Sequence, residues 1–471
     1  EIKKHDPIIL PNYEKYKEVV DRNTVRQLFD QQMWDSFYMY SMMKAGNFSV
    51  PGSGKTASTL GVLAYRKSKN EVLNITVVCP LNSFDSWISE YEKTFGRRPK
   101  VFDSRLHSGQ ESLTAFFNEY ATSDIVLINY QSLGKYADAL KRYLVSKCLL
   151  VFDEAHYVKS WNAKRSESAR SVAKDSTRTL VLTGTPMPNS YTDLYCILHL
   201  LFPNEYDSYF RYDLATLRNP TEDVIEDMNR KIQPFYCRTS KKNLGVPPEN
   251  PDQSIFIEST EAENRLYRKI LDACRENPLS MIIRMLQAES DPSMLMKDEI
   301  PEEMYELFDD DFSDGDTGKV KTLIPSLRGL DTDIESIGVT SKTSRCLEIA
   351  EDLVSEGKTA IIWCIFKKSI DNITKKLNEN GIKARSIDGS VAPTMRGSIL
   401  DAFRNGGFNI LVTNPHTLAE SVSLQMVCHD TIYFEYSYNL VHLLQSKDRI
   451  HRLGLKEGQY TQHRFLKVDY G

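Results

Sequence analysis

Eight short runs of β-branched or apolar residues, four in each half, constrain this chain more than any other feature. In the first half they are NITVVCP (74–80), DIVLINY (124–130), CLLVFDE (148–154) and TLVLTGT (179–185). In the second half they are TAIIWCIF (359–366), KARSID (383–388), FNILVTN (408–414) and DTIYFEY (430–436). Longer amphipathic stretches separate them. A strand covered on both faces reads as a continuous apolar run, and parallel neighbours need a long crossover, usually a helix. The alternation therefore predicts an α/β fold with one helix-covered parallel sheet in each half. A chain of 471 residues has room for two such cores. Between them, residues about 205–340 read as helical and irregular, with Pro247, Pro248 and Pro251 marking a break. The acidic stretch 297–316 reads as a solvated, mobile loop or, alternatively, a partner-binding element.

Charge and cysteine usage exclude several classes. Lys+Arg 59 against Asp+Glu 64 leaves a net charge of −5, so any contact with a polyanion has to be local. No apolar run approaches the roughly 20 residues that span a bilayer, and EIKKHDPIIL is not a secretory signal. A membrane partner is not expected, and the location expected is intracellular: cytoplasm or nucleoid if bacterial, nucleus if eukaryotic. The chain begins at Glu1 and reads as a fragment or a processed chain. None of the eight cysteines forms a CxxC pair, and several lie in apolar runs, which predicts buried, reduced thiols rather than a zinc site. Asp309, Asp310 and Asp311 suggest a metal-dependent nuclease only superficially, since no strand or basic residue adjoins them.

Two motifs carry chemistry. Pro51, Gly52, Ser53, Gly54, Lys55 and Thr56 precede a helical stretch, ASTLGVLAYRK. Glycines let backbone N–H groups curl around a phosphate, and a helix N-terminus favours the negative charge. Lys55 would reach the β- and γ-phosphates and Thr56 would ligate Mg2+. Ser49 stands where the full phosphate-loop pattern has a glycine, so a Gly/Ser-rich turn is the competing reading. About 100 residues on, an apolar strand ends in Asp153 and Glu154 within DEAH. A strand end beside a phosphate loop is where Mg2+ needs a carboxylate, Asp153, and water needs a base or orienter, Glu154. Together the two motifs predict a site for a nucleoside triphosphate with Mg2+.

With these motifs the chain resembles the superfamily-two helicase-like ATPases, and among them the Swi/Snf-type DNA translocases. The resemblance runs from about residue 26 to 467. Leu28 to Gln32 matches the adenine-reading segment, with Gln32 as the reader. Val77 to Pro80 with Trp87 and Glu90 resembles the "CP…W…E" segment. Asn129 to Leu133 is similar to the motif that carries a tyrosine to the DNA strand, Tyr130. Leu182 to Ser190 matches the LTGTP segment, and Pro234 to Lys241 the end of the first lobe. Ser341 to Thr343, Ile361 to Phe366, and Asp388 to Ser390 with Arg396 follow in family order, and Gln445 to Gly454 matches QxxDRxHRxG.

The resemblance implies two RecA-like lobes. They are expected at 1–240, with a helical insertion at about 205–235, and at 241–471, with a helical and acidic insertion at about 260–340. Arg449 and Arg452, three apart on an expected helix, would share a face and clamp γ-phosphate charge, so that hydrolysis requires the lobes to close. Thr183 and Thr185 are expected to couple the nucleotide to a nucleic-acid groove. Tyr130, Lys159, Ser390 and Arg396 are the expected contacts to double-stranded DNA, bound without sequence preference. Lys159, Lys164 and Arg165 share the basic run after DEAH and read equally as a solvated face; Trp161 reads first as packing and second as a base-stacking platform.

The sequence departs from the family at Ser49-Val50-Pro51, where an acidic segment is usual. It departs again at Thr413 to Gln425, which lacks a glycine pair, and at Ser437 to Leu440, in place of WNP. The function expected is an ATP-dependent double-stranded DNA translocase working with a protein partner or a further domain outside this chain. The alternatives are a strand-separating helicase on single-stranded DNA or RNA, and an ATP-switched nucleic-acid sensor or scaffold.

Overall fold

The computed structural model describes residues 6–109, 111–144, 147–188, 190–296, 330–415, 417–418, 422–436, 440–452, 454–456 and 458–470. The acidic stretch 297–316, with Asp309 to Asp311, lies outside them. The chain divides into two compact units, Glu1–Gly245 and Val246–Gly471.

The first unit opens with helices α1 (Ile9–Asn23) and α2 (Asp30–Met42). Strand β1 (Lys44–Asn47) leads through the glycine-rich loop into α3 (Lys55–Ser68), followed by β2 (Asn74–Val78) and α4 (Phe84–Phe95). Strands β3 (Val101–Asp103), β4 (Ile125–Ile128), β5 (Cys148–Asp153), β6 (Thr179–Leu182) and β7 (Tyr236–Cys237) complete a sheet of order β3-β4-β2-β5-β6-β1-β7. Every pairing in it is parallel. Alternate residues serve the two faces: Val78, Val126, Leu150, Phe152 and Val181 join one apolar cluster. Ile75, Val77, Leu127, Val151 and Leu182 join the other, beneath α3 and α4. This two-sided burial is why the sequence shows unbroken apolar runs there.

The second unit has a sheet of β8 (Gln253–Glu258), β9 (Ala360–Trp363), β10 (Ala384–Ile387), β11 (Ile410–Thr413), β12 (Asp430–Tyr433) and β13 (Gln462–Asp469). Its order is β10-β11-β9-β12-β13-β8, again parallel throughout. The architecture is α/β with two parallel sheets, as the eight apolar runs predict. Between Glu261 and Ile337 the described residues form helices, which dock on the Ser341–Ser355 helix through Glu263. Its carboxylate accepts the N–H of Thr260 at 2.7 Å and of Ser341 at 2.8 Å, so one acid serves two helix N-termini.

Five strands, β1, β3, β7, β8 and β13, lie outside the eight apolar runs. β1 reads KAGN, and its Gly46 is required because a Cβ there would lie 2.6 Å from the Phe48 ring. β3 and β7 are short, while β8 is an edge strand with mostly exposed residues, including Phe256 at 70% exposure. All eight cysteines are free thiols; seven are buried and Cys237 is partly so. Among the described residues no helix is long and apolar enough to cross a membrane.

Candidate nucleotide site

The phosphate loop hangs between β1 and α3 and is tied down on both sides. Val50 donates its N–H to Thr239 O at 3.1 Å, and the Ser49 hydroxyl accepts the Thr239 N–H at 2.9 Å. This bond gives Ser49 a use that the glycine expected at its position could not supply. Gly52 and Gly54 both have positive φ, 79° and 89°. At Gly54 a Cβ would also come within 2.1 Å of Gln32 Nε2, so only glycine fits. Lys55 opens α3 and donates from Nζ to Ser49 O at 3.1 Å. The Ser53 hydroxyl is buried and has no hydrogen-bond partner among the described residues. Backbone N–H groups at the start of α3, an orphaned hydroxyl and a lysine resting on a carbonyl together fit a phosphate chain. Thr56, the next residue of α3, is half-buried.

Gln32 closes this loop from the α2 side. Its Oε1 accepts the Phe29 N–H at 3.2 Å and its Nε2 donates to Ser53 O at 3.0 Å. One N–H and one lone pair of the amide remain beyond those bonds.

Asp153 ends β5 and is itself held by three donors. Trp87 Nε1–H bonds Oδ2 at 2.8 Å, the Glu154 N–H bonds Oδ1 at 3.0 Å, and the Tyr130 hydroxyl bonds the main-chain O at 2.8 Å. Burial, and after it the Glu154 charge, push the Asp153 carboxyl above the usual carboxylate range; the Trp87 bond and the Lys55 charge pull the other way. A buried carboxylate so loaded favours a cation beside it, which fits Mg2+. Glu154 sits in the left-handed region, φ 47° and ψ 52°, a conformation that turns the chain sharply after β5. Its Oε2 lies 3.3 Å from His156 Nδ1, and that nitrogen lies 3.5 Å from Thr183 Oγ1. Thr183 Oγ1 in turn accepts the Thr185 N–H at 3.1 Å, and the Thr183 N–H donates to Asn47 O at 3.2 Å. Phosphate loop, acidic strand end and LTGT segment are thus one connected unit.

The expected nucleic-acid contacts fare unevenly. Tyr130 is a correction: only 1% exposed and committed to Asp153 O, it offers no ring face to a strand. It sits just past the end of β4, and its ring belongs to the apolar cluster under the sheet. Trp161 packs rather than stands free, with the Arg170 guanidinium 3.5 Å from its ring centre and Tyr195 and His199 at its edge. Lys159 is half-buried, and its carbonyl accepts the Cys196 thiol at 2.9 Å. In the second unit Ser390 is exposed, held by Asp388 at 2.6 Å and by Lys367 Nζ at 3.1 Å. Arg396 donates to Val391 O at 2.8 Å and Gly389 O at 3.2 Å, bracing the loop that carries Ser390.

The two arginines require a second correction. The helix Leu440–Lys447 stops before them, so they share no helical face. The Arg449 carbonyl accepts the Leu424 N–H at 3.0 Å, and the bonds of Arg449 and Ile450 N–H shorten to three-residue turns. The turns nevertheless aim both side chains alike, since each guanidinium lies 3.5 Å from Val422 O. Burial draws Arg452 below its usual value, with Asp448 opposing. Two cationic groups on one carbonyl suit an anion arriving there.

Sequence reasoning missed Thr239, whose main chain anchors the phosphate loop, and His156, which joins Glu154 to Thr183. Both lie inside quoted motifs; the main-chain anchoring by Thr239 leaves no mark on residue choice, whereas His156 acts through its ring, whose partners the sequence does not show.

Known proteins resemble the chain over most of its length. The SNF2-related domain family model matches residues 49–304, and the helicase conserved C-terminal domain model matches residues 341–454. The ISWI chromatin-remodeling complex ATPase ISW2 of Saccharomyces cerevisiae is 24% identical over 438 residues, covering 88% of this chain and 36% of that protein. The ATP-dependent helicase fft3 of Schizosaccharomyces pombe is 22% identical over 502 residues, covering 92% of this chain and 53% of that one. Among solved structures, a Sulfolobus solfataricus SWI2/SNF2 ATPase core in complex with dsDNA superposes with a TM-score of 0.44 at 19% identity, over 95% of this chain and 89% of that one. The chain spans between about a third and a half of the length of these two curated relatives. The first family model alone covers more than half of the sequence, and the protein belongs to the SNF2-related family of helicase-like ATPases.

Proposed function

We propose that this chain is the motor of a double-stranded DNA translocase, hydrolysing ATP to move along DNA or to remodel DNA–protein complexes. The observation that carries the reading is that the LTGT segment meets both halves of the site: Thr183 reaches Glu154 through His156, and Gly184 packs against Pro51 of the phosphate loop. A change at the phosphates is therefore expected to reach the LTGT segment. Support for duplex DNA comes from the group-specific motifs LTGTPMPNS, PFYCRTSK and DRIHRLG, and from relatives named as chromatin-remodeling ATPases.

On this reading Lys55 exchanges the Ser49 carbonyl for the β- and γ-phosphate oxygens. Pro51 to Thr56 cradle the triphosphate, with the Ser53 hydroxyl gaining its missing partner, and Gln32 reads adenine with its remaining N–H and lone pair. Thr56 and Asp153 would hold Mg2+, which when bound supplies neutralising charge to the phosphates. Glu154, steadied by His156, orients the attacking water and accepts its proton. Arg449 and Arg452 contribute positive charge that stabilises the departing γ-phosphoryl group. Ser390, with its loop braced by Arg396, and Lys159 lie on the DNA path, and Thr185 relays between the two sites. An overall acidic chain confines DNA contact to such local groups and makes it salt-sensitive. Partner proteins, or domains in the remainder of a longer protein, select the substrate.

The test is ATP hydrolysis without nucleic acid and with single-stranded DNA, RNA or blunt duplex DNA, beside a Lys55→Ala control. Stimulation by duplex above the others supports the translocase. Stimulation by single strands or RNA favours a helicase, and indifference to every nucleic acid overturns the proposal.

A further inference from the structure

Trp87 has no assigned part in the reaction, yet its indole is placed on the most demanding carboxylate of the site. It sits in the first turn of α4 and is 1% exposed. The chain reaches it from β2, which lies beside β5 with Val78 opposite Phe152, through a short turn at Leu81–Ser83. That crossover brings the ring to the end of β5. Phe84, Trp87 and Tyr91 of α4 share the apolar cluster of Leu60 and Leu63 from α3, so the indole is packed from the same side as the helix that carries Lys55.

A buried indole N–H seeks an acceptor, and a main-chain carbonyl would serve for packing alone. Trp87 bonds a side-chain carboxylate instead. Its N–H takes Asp153 Oδ2 at 2.8 Å while the Glu154 N–H takes Oδ1 at 3.0 Å. Each oxygen thus has one fixed donor, which sets the plane of the carboxylate and leaves a lone pair on each oxygen for another ligand. The Tyr130 hydroxyl fixes the main chain of the same residue. By contrast the other deeply buried indole, Trp363, has no partner for its Nε1 among the described residues. Among the described residues, then, burial does not by itself bring every indole a partner.

We propose that Trp87 is a positioning residue: its N–H orients the Asp153 carboxylate for the divalent cation that accompanies ATP. This rests on the reading of Asp153 as a ligand of that cation. A neutral donor is suited to the task, because it restrains the carboxylate without cancelling the charge the cation needs. Outer-shell partners of this kind commonly contribute 10- to 100-fold to metal affinity or activity.

Phenylalanine at 87 keeps an aromatic ring and deletes the N–H. Binding of a non-hydrolysable ATP analogue would be measured by calorimetry with Mg2+ and with EDTA, for wild type, W87F and D153N. The expected W87F result is an unchanged affinity in EDTA, at least a fivefold loss of the Mg2+-dependent gain, and a raised Mg2+ half-saturation. A purely packing role would weaken binding equally in both conditions. If D153N loses the Mg2+ gain and W87F keeps it, the Trp87 proposal is overturned. If D153N also keeps it, the reading of Asp153 fails first and the proposal falls with it. Should W87F not fold, the indole 15N–1H signals of wild type decide the matter, since the chain has four tryptophans and W34F, W161F and W363F identify the other three. The Trp87 signal is expected to move when Mg2+ joins the bound analogue, and a signal that stays in place overturns the proposal.

Discussion

Gly184 stands so close to Pro51 that a Cβ on the glycine would lie 2.7 Å from the proline Cδ. The LTGT segment and the phosphate loop therefore touch through the smallest side chain available. Gly184→Ala would push the proline ring and the loop behind it, at about 1–3 kcal/mol for overpacking. We expect ATP-analogue affinity to fall about tenfold, equivalent to about 1.4 kcal/mol, with the fold retained. Titration of the purified variant checks this, and an unchanged dissociation constant would contradict the contact.

Gln32 makes two bonds across the loop, to the Phe29 N–H and to Ser53 O. Gln32→Ala removes both from a buried position, and at roughly 1 kcal/mol each the loss is about 2 kcal/mol. Urea denaturation reads that loss. Selectivity for ATP over GTP should fall in the same variant, as the remaining amide groups are those offered to the purine edge.

His156 links Glu154 to Thr183, and its loss separates hydrolysis from its coupling. In His156→Ala, basal turnover should drop less than the increment that duplex DNA adds. Parallel assays with and without DNA measure the ratio. Equal losses in both would mean that His156 serves only to orient Glu154.

Asp124 gathers Arg97 through two bonds at 2.8 Å, Lys67 at 2.9 Å and the Lys100 N–H at 3.1 Å. Burial alone would raise its carboxyl, but the bonds from Arg97, Lys67 and Lys100 outweigh it and hold the group well below the usual carboxylate range. A depressed folded value means that the stabilisation is complete above the unfolded pKa, about 4. It is lost as pH falls from there toward the folded value. Asp124→Asn should cost on the order of 1–2 kcal/mol at neutral pH, discounted for the exposed Arg97. It should also flatten the decline of stability in acid. Melting temperatures between pH 3 and pH 7 would follow both effects.

What was legible in the sequence follows from where side chains, rather than main chain, decide the structure. The central strands β2, β4, β5, β6, β9, β11 and β12 are buried on both faces, so their apolar runs announce them. β1 carries the phosphate loop yet reads KAGN, because close approach of Phe48 demands a glycine and the end of the strand turns polar. Lys55, Asp153 and Glu154 stood out in the sequence because the chemistry proposed for them needs those residue types. Tyr130 was misplaced because motif order says nothing of which side of the sheet a ring enters. Arg449 and Arg452 were assigned one helical face by spacing alone, whereas the helix stops at Lys447 and the bonds of the Arg449 and Ile450 N–H groups shorten to three-residue turns. Asn189 and residues 437–439, within motifs compared above, lie outside the described residues.

The left-handed backbone of Glu154 has an evolutionary corollary. An ordinary residue held there costs roughly 1 kcal/mol or more that glycine would not. Glycine at position 154 would thus relax the turn after β5, offsetting part of the lost His156 contact, while deleting the acid to which turnover is assigned in the proposal. Variants enriched by heat challenge alone would drift toward silence at this position. Only selection that counts turnover can keep glutamate in such an uncomfortable seat.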